Sequence, residues 1–313
     1  MHLQELGHLR IGVVCGGASA EAAVSRNSAA AVTQALRESF RNVDVLELDS
    51  TLHGRLISVG YNVVFPVLHG PPGEDGTFQG YLEILGLSYV GSGVRASANA
   101  MHKPTAKLIY RERGLPIAPG LTADRNTRAE QIVSALGEDL VVKPCGQGSA
   151  LGVSFVRNMD DLRHALDQAL SFGSQALIEK RIIGKEITCG VFEEETAVAF
   201  PVVEVTTPAG AWYDYEHRYT AGLSNHIIPA RIPDRAAKRV QEVAIAAHEA
   251  LECRDLSRSD FVVTDTGEVY LLETNTLPGM TATSLYPDAA RAAGIEFPEL
   301  VARLARNAWR RKR

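Results

Sequence analysis

A mixed α/β chain, with a parallel α/β unit leading into two further α+β units around a central cleft, is the fold class this sequence predicts. Three observations carry the prediction. Short apolar strands alternate with helical segments over the first hundred residues or so, a lysine runs directly into a Gly/Ser loop at 143–152, and oxygen-bearing side chains gather on strand-like runs at 260–275. Alternation of strand and helix implies a parallel sheet with right-handed crossovers. At 313 residues the chain exceeds a typical single domain, so two or three units sharing one cleft are expected.

In chain order, the run Arg10 to Cys15 reads as a strand, followed by the polar turn Gly16-Gly17-Ala18-Ser19-Ala20-Glu21 and a helix-compatible segment from Ala22 to Arg37. Further strands are expected at Val43 to Leu48 and Val63 to Leu68. The third ends in His69-Gly70-Pro71-Pro72-Gly73-Glu74-Asp75-Gly76, too rich in Gly and Pro for regular structure. Ligands on parallel sheets collect at the carboxyl ends of strands, where both Gly-rich loops fall. Residues 1–98 thus form one α/β unit.

A helix from Lys103 to about Arg113 leads to the strand Leu140 to Lys143, the loop Gly146 to Gly152, a strand Ser154 to Val156, a helix Met159 to Leu170 and a strand Ala176 to Lys180. These make a small α+β unit over 99–189. The remainder, 190–313, carries a long helix around Ala236 to Leu251, strands around Asp260 and Glu273, and a closing amphipathic helix from about Pro298 to Arg310.

Composition narrows the classes of function. Hydrophobic content of 45% and charged content of 22% belong to an ordinary soluble globular protein. A net charge of −5 leaves no basic excess for nucleic acid, and Arg310-Arg311-Lys312-Arg313 reads as a solvated helix end. Cys15, Cys145, Cys189 and Cys253 lie far apart without Cys-x-x-Cys spacing, which argues against a zinc site or a disulfide framework. No leader pattern and no apolar stretch of membrane-spanning length occurs, so a cytoplasmic location without membrane association is expected.

Glu273 and Asn275, at period 2 on one strand, point to the same side, and with Asp260 they form a hard-oxygen set of the kind Mg²⁺ takes when phosphates complete its octahedron. A strand ending in a polar turn reads equally from Asn275-Thr276-Leu277-Pro278-Gly279 alone. Lys143 ahead of the Gly146 to Gly152 loop offers an ammonium and freed backbone N–H groups to phosphate oxygens, although the lysine precedes the glycines, unlike a P-loop. Glu179-Lys180-Arg181-Ile182, with Glu186 beyond, has the form of a strand exit that can hold an adenine edge and ribose, and also of a plain charged hairpin.

Taken together, Gly16-Gly17-x-Ser19-x-Glu21, His69-Gly70 with Gly73 to Thr77, Gly91-Ser92-Gly93, Lys143-Pro144, Gly148-Ser149, Tyr213 to Glu216 and Glu273-x-Asn275-x-x-Pro278-Gly279-Met280-Thr281 resemble the D-alanine–D-alanine ligase family of the ATP-grasp superfamily. The matches run in order from about residue 10 to residue 300. The resemblance implies an ATP-grasp fold, with a substrate domain at 1–98, a central domain at 99–189 and a metal-bearing domain at 190–313. It implies a cytoplasmic homodimer that supplies the peptidoglycan precursor dipeptide. ATP would phosphorylate the carboxylate of a first D-alanine, and the amine of a second would attack the acyl phosphate.

Carried over by position, Asp260, Glu273 and Asn275 would hold two Mg²⁺ ions, with Mn²⁺ as an acceptable substitute. Lys103, Lys143, Glu179, Lys180, Ile182, Glu186 and Arg218 would line the ATP site. Arg258 and the Gly279 N–H would stabilise the acyl phosphate and the oxyanion that follows. Glu21 would bind the first ammonium, with Val24 and His69 beside it, and Ser284 and Leu285 would meet the second carboxylate. Ser149 and Tyr219 would join Glu21 to close a loop over the site and exclude water. From the residues alone, His69 reads also as a strand-end histidine, Glu21 as a first-turn acid and Tyr219 as a surface aromatic.

Four positions depart from the family pattern: His102 before Lys103, Ala150 in place of a second loop serine, Arg218 in place of lysine, and Ser259 between Arg258 and Asp260. They leave open a ligase of the same chemistry that joins a different amino-acid pair, and a nucleotide-binding protein without turnover is the alternative of another class. Tyr219 favours an amide product over the ester made where the family lid brings a histidine; His217 would complicate that reading if the loop register shifts.

Overall fold

Parallel strands β1 (Arg10–Cys15), β2 (Asn42–Glu47) and β3 (Val63–Pro66) open the computed structural model in the order β2-β1-β3, and the residues described are 7–19, 21–208, 220, 222–281 and 284–311. Helices α1 (Ala22–Leu36) and α2 (Leu52–Val59) are the crossovers. β1 and β3 are buried on both faces and read as near-continuous apolar runs, while the edge strand β2 exposes Asn42, Asp44 and Val45. Ile11, Val13, Cys15, Val63 and Phe65 pack with α1 on one face; Val14 and Val64 pack with α2 and α3 (Thr77–Ile84) on the other.

The first face is completed from far along the chain. Leu300, Val301, Leu304 and Ala308 of α10 (Phe297–Arg310) join Ala29, Val32 and Leu36 of α1 in one core. Arg311, directly after that helix, donates to Tyr89 O at 2.7 Å and pairs with Asp255, whose other oxygen accepts from Gly91 N–H at 2.7 Å.

Helices α4 (Val94–Met101) and α5 (Lys103–Glu112) lead to a four-stranded antiparallel sheet, β4-β7-β5-β6, built from β4 (Gly120–Ala123), β5 (Leu140–Pro144), β6 (Ser154–Val156) and β7 (Ala176–Lys180). Its core faces α6 (Ala129–Leu136) and α7 (Met159–Leu170). A capping asparagine, Asn158, accepts from Asp161 N–H at 2.9 Å and starts α7 where its apolar pattern begins.

A third, antiparallel sheet orders β11 (Asn225–Ile227), β10 (Val203–Thr206), β8 (Lys185–Glu193), β12 (Leu256–Val263) and β13 (Val269–Asn275), with β9 (Ala197–Ala199) paired to β8. Ile187, Cys189, Val191, Phe261 and Leu271 pack against Val240, Val243 and Ala247 of α8 (Asp234–Ala250). The opposite face carries polar side chains and receives α9 (Leu285–Ala292): a Cβ at Gly190 would lie 2.9 Å from the Tyr286 ring, so glycine there sets how closely α9 approaches.

Candidate functional site

The cross-strand register of β12 and β13 builds one wall of the site. Arg258 stands opposite Asn275 and Asp260 opposite Glu273, so alternation puts all four on the same sheet face. The register then shifts between Asp260 and Phe261, leaving Leu272 as the extra residue of a β-bulge. Such a bulge re-aims side chains and ends regular pairing beside a site. Arg258 donates to both Asp260 oxygens at 2.9 Å, and Thr188 Oγ1 donates to Oδ1 at 2.7 Å. Asn275 Oδ1 accepts from Leu277 N–H at 2.8 Å, which shapes the turn toward Gly279.

Lys103, at the first position of α5, crosses to this wall: its Nζ lies 2.9 Å from Glu273 Oε2 and donates to Gln147 O in the Gly-rich loop at 2.7 Å. One helical turn later, and absent from the sequence-derived set, Lys107 is buried, 2.7 Å from Glu179 Oε1 and donating to Leu271 O at 2.9 Å. Lys143 Nζ meets Glu179 Oε2 at 2.6 Å, a diagonal contact across β5 and β7. The Lys103/Lys107 spacing of four on one helix was the signal that could have found it.

This triad buries two ammonium groups around one carboxylate. Burial opposes ionisation of Glu179, but Lys107 and Lys143 outweigh it and hold the carboxyl at about 2. Burial likewise pulls Lys143 down, and attraction to Glu179 wins, leaving it raised. For Lys107 burial dominates and its pKa is lowered. Lys180 at the β7 exit is exposed, while Ile182 and Glu186 are half-buried along the path into β8; these three, like Lys143, Glu179 and Asp260, lie beyond the described lining of the main cavity.

That cavity, of about 720 Å³, is lined by Glu21, Val24, His69, Lys103, Ser149, Arg258, Glu273, Asn275, Gly279, Ser284 and Leu285. It therefore gathers predicted residues from the first helix, the third strand's end, the Gly-rich loop and the last strand. Ser149 Oγ donates to Glu21 Oε1 at 2.5 Å, tying the loop to the start of α1. Ser149 and Ala150 occupy the left-handed region, at φ 49° and 59°, where L-residues pay an energetic penalty of about 1 kcal/mol each. Arg218 and Tyr219, with His217 and the Tyr213 to Glu216 segment, lie outside the described residues.

His69 is buried and its Nε2 meets no hydrogen-bond partner among the described residues; burial lowers its pKa, against an opposing pull from Glu21. Glu74, also missed as a site residue although it sits in the Gly73 to Gly76 motif, lines the cavity and accepts from Gly70 N–H at 2.5 Å. Burial pushes its carboxyl up to about 8, more than the Gly70 bond restrains it. Ser284 occupies the N-cap position of α9, and its Oγ turns back to accept from Thr281 N–H at 3.2 Å; a Cβ on Gly279 would come within 3.1 Å of that hydroxyl oxygen. Ser284 and Leu285 line the cavity where α9 begins, and the start of a helix, here with Pro287 contributing no N–H, offers its first backbone N–H groups as a seat for an anion.

Two departures from the expected family pattern turn away from this chemistry. Ser259 points to the opposite sheet face from Arg258 and Asp260, buried, with its hydroxyl 2.8 Å from Thr274 Oγ1. His102 is exposed and its Nδ1 pairs with Thr105 Oγ1 at 2.7 Å, within its own helix start.

Among the described residues no group of three His, Cys, Asp or Glu side chains is placed to hold a metal ion by itself. Asp260 and Glu273 on neighbouring strands with the Asn275 amide supply two carboxylates and a carbonyl oxygen, a donor set that suits a hard cation only when other oxygens complete its shell.

Residues 47–92 match the family description "D-ala D-ala ligase N-terminus" and residues 110–306 match "D-ala D-ala ligase C-terminus". A D-alanine–D-alanine ligase of Pelotomaculum thermopropionicum is 42% identical over 306 residues, covering 95% of each chain, and one of Desulforudis audaxviator is 43% identical over 305 residues, covering 96% of this chain and 99% of the relative. The crystal structure of a Bacillus anthracis D-alanine–D-alanine ligase complexed with ATP superposes with a TM-score of 0.84 at 31% identity, covering 97% of this chain and 98% of that one. On sequence and fold alike, along nearly its whole length, this chain belongs to the D-alanine–D-alanine ligase family.

Proposed function

We propose that this protein is an ADP-forming ligase that joins two D-alanine molecules through an acyl phosphate, for peptidoglycan precursor synthesis. The observation that carries the reading is a single cavity lined by the carboxylate of Glu21, by Lys103 and Arg258, and by Ser284 and Leu285 at the start of α9. Bringing two amino acids and a triphosphate together demands charge neutralisation and positioning more than proton chemistry.

In this reading Glu21 receives the first ammonium, with Val24 and His69 beside it. A neutral His69 suits that place, because a second cation there would repel the substrate amine. Arg258 and the Gly279 N–H meet the acyl phosphate and the oxyanion, and the α9 terminus at Ser284 and Leu285 meets the second carboxylate. Lys103 and Lys143 take phosphate oxygens, while Glu179, Lys180, Ile182, Glu186 and Arg218 serve the nucleotide. The Ser149 loop, tied to Glu21, excludes water, and Tyr219 is assigned to the same closure.

Asp260, Glu273 and Asn275 would hold two Mg²⁺ ions, or Mn²⁺ in their place. Bound there, the metal neutralises phosphate charge and polarises the transferring group. Arg258 and Lys103, which neutralise these carboxylates in the structure, would then turn toward substrate oxygens. The division at 1–98, 99–189 and 190–313, the cytoplasmic location and a homodimeric state complete the proposal; sedimentation measures the last.

The test is ADP release from ATP and Mg²⁺ with single amino acids and pairs, with chromatography of the product. D-alanine alone should suffice and yield the dipeptide. Turnover only with other amino acids would move the assignment to another pair, and silence with every amino acid would end it. Converting Glu273→Gln should lower turnover by roughly three orders of magnitude or more in a folded protein; near-normal rates would remove the metal assignment.

A further inference from the structure

Beyond the set already assigned, the cavity wall beside α9 carries a histidine–aspartate pair. His226 on β11 and Asp288, one turn into α9, both line the cavity, with His226 Nδ1 2.7 Å from Asp288 Oδ2. Both are largely buried, with side chains 20% and 15% exposed. A carboxylate oxygen only accepts, so the imidazole Nδ1–H donates to it whether the ring is neutral or charged. Arg291, one turn further along α9, also pairs with Asp288.

Asp288 creates a conflict. Asp288 N–H bonds Ser284 O at 3.0 Å, so this carboxylate sits one turn from the helix end that presents Ser284 and Leu285 to the cavity. A substrate carboxylate arriving at that end meets a second negative charge close by, and the two compete for the same positive end of the helix. The repulsion is relieved only as far as His226 and Arg291 mask Asp288.

We propose that His226 is a positioning residue that masks Asp288 and thereby sets the affinity for the second amino acid, the one whose carboxylate docks at the start of α9. This rests on the ligase reading. The pair commits His226 Nδ1 to Asp288, and through that carboxylate the histidine acts on the substrate.

Steady-state kinetics tests it, with D-alanine varied at saturating ATP over a range wide enough to separate the two substrate sites, and ATP varied at saturating D-alanine. D-alanine-dependent ADP release with dipeptide formation by the wild-type protein tests the ligase reading separately, so the variants report on the pair alone. His226→Ala should raise the second KM about tenfold, the size of one poorly screened charge, with kcat and the KM values for ATP and the first D-alanine within about twofold. Adding Asp288→Asn to His226→Ala should bring the second KM back toward wild type, because the charge that needed masking is gone. Asp288→Asn alone should leave the second KM at or below wild type. An unchanged second KM in His226→Ala, a double variant as weak as His226→Ala, or a raised second KM in Asp288→Asn would each overturn the proposal.

Discussion

Glu74 is a carboxyl enclosed in protein, with one backbone N–H to satisfy it and Glu21 and Glu273 near enough to disfavour its charge. Its ordinary value of 4.5 rises to about 8, so the native state holds a proton that the unfolded chain gives up above 4.5. The stabilisation is therefore full below 4.5 and is lost as pH climbs toward 8. Glu74→Gln, which cannot ionise, should melt higher than wild type at pH 9, with the gain shrinking toward pH 5; thermal scans across that range check it, and a constant difference would refute the assignment. Nothing local to Gly73-Glu74-Asp75-Gly76 announces this burial, since it depends on packing from other parts of the chain. Glu273 and Asn275, in contrast, were legible, because strand alternation is a local rule. Tyr219 and Arg218 fall outside the residues the structure describes.

Among elements, α5 does the most for the site per residue. Its first turn sends Lys103 to Glu273 and the Gly-rich loop, and its second sends Lys107 to Glu179 and to the backbone of β13. One helix thus braces the second sheet against the third. Replacing Lys107→Met keeps the apolar stem and removes the charge, leaving Glu179 to Lys143 alone and Leu271 O without its ammonium donor. A loss of about 1–3 kcal/mol in urea unfolding is expected, together with weaker nucleotide binding; unchanged stability would mean that Lys143 suffices. Boundaries of α7 and β7 were readable from their periodicity, while α9 was not, because its meaning comes from where its first turn opens. The Leu272 bulge also escaped the sequence: strand patterns fix which face a residue takes, but a bulge depends on the partner strand.

For the molecule as a whole, the parallel opening sheet followed from the succession of strands and helices, yet the depth to which the three sheets depend on one another did not. Asp255 is buried, its pKa raised by burial against the pull of Arg311. Arg311→Ala would strand that carboxylate and free Tyr89 O, at an expected cost of about 3–5 kcal/mol. Urea unfolding measures it, and a cost below about 1 kcal/mol, the scale of an exposed pair, would contradict the tie. Residues 1–98 expressed alone should bind a hydrophobic dye and lack sharp near-ultraviolet signals, because α10 is missing from their core. Cooperative unfolding of that fragment would show the first sheet to be self-sufficient.

The shared packing of α1 with α10 also bears on how the polypeptide is made. During translation the first strands leave the ribosome early, and the helix that covers them follows after more than two hundred further residues. At roughly 5–20 residues per second that interval lasts ten seconds or more, during which the nascent sheet must keep Ile11, Val13 and Phe65 from sticking to neighbours. Synthesis of this chain therefore carries a window of exposed apolar surface that closes only when the helix Phe297–Arg310 docks.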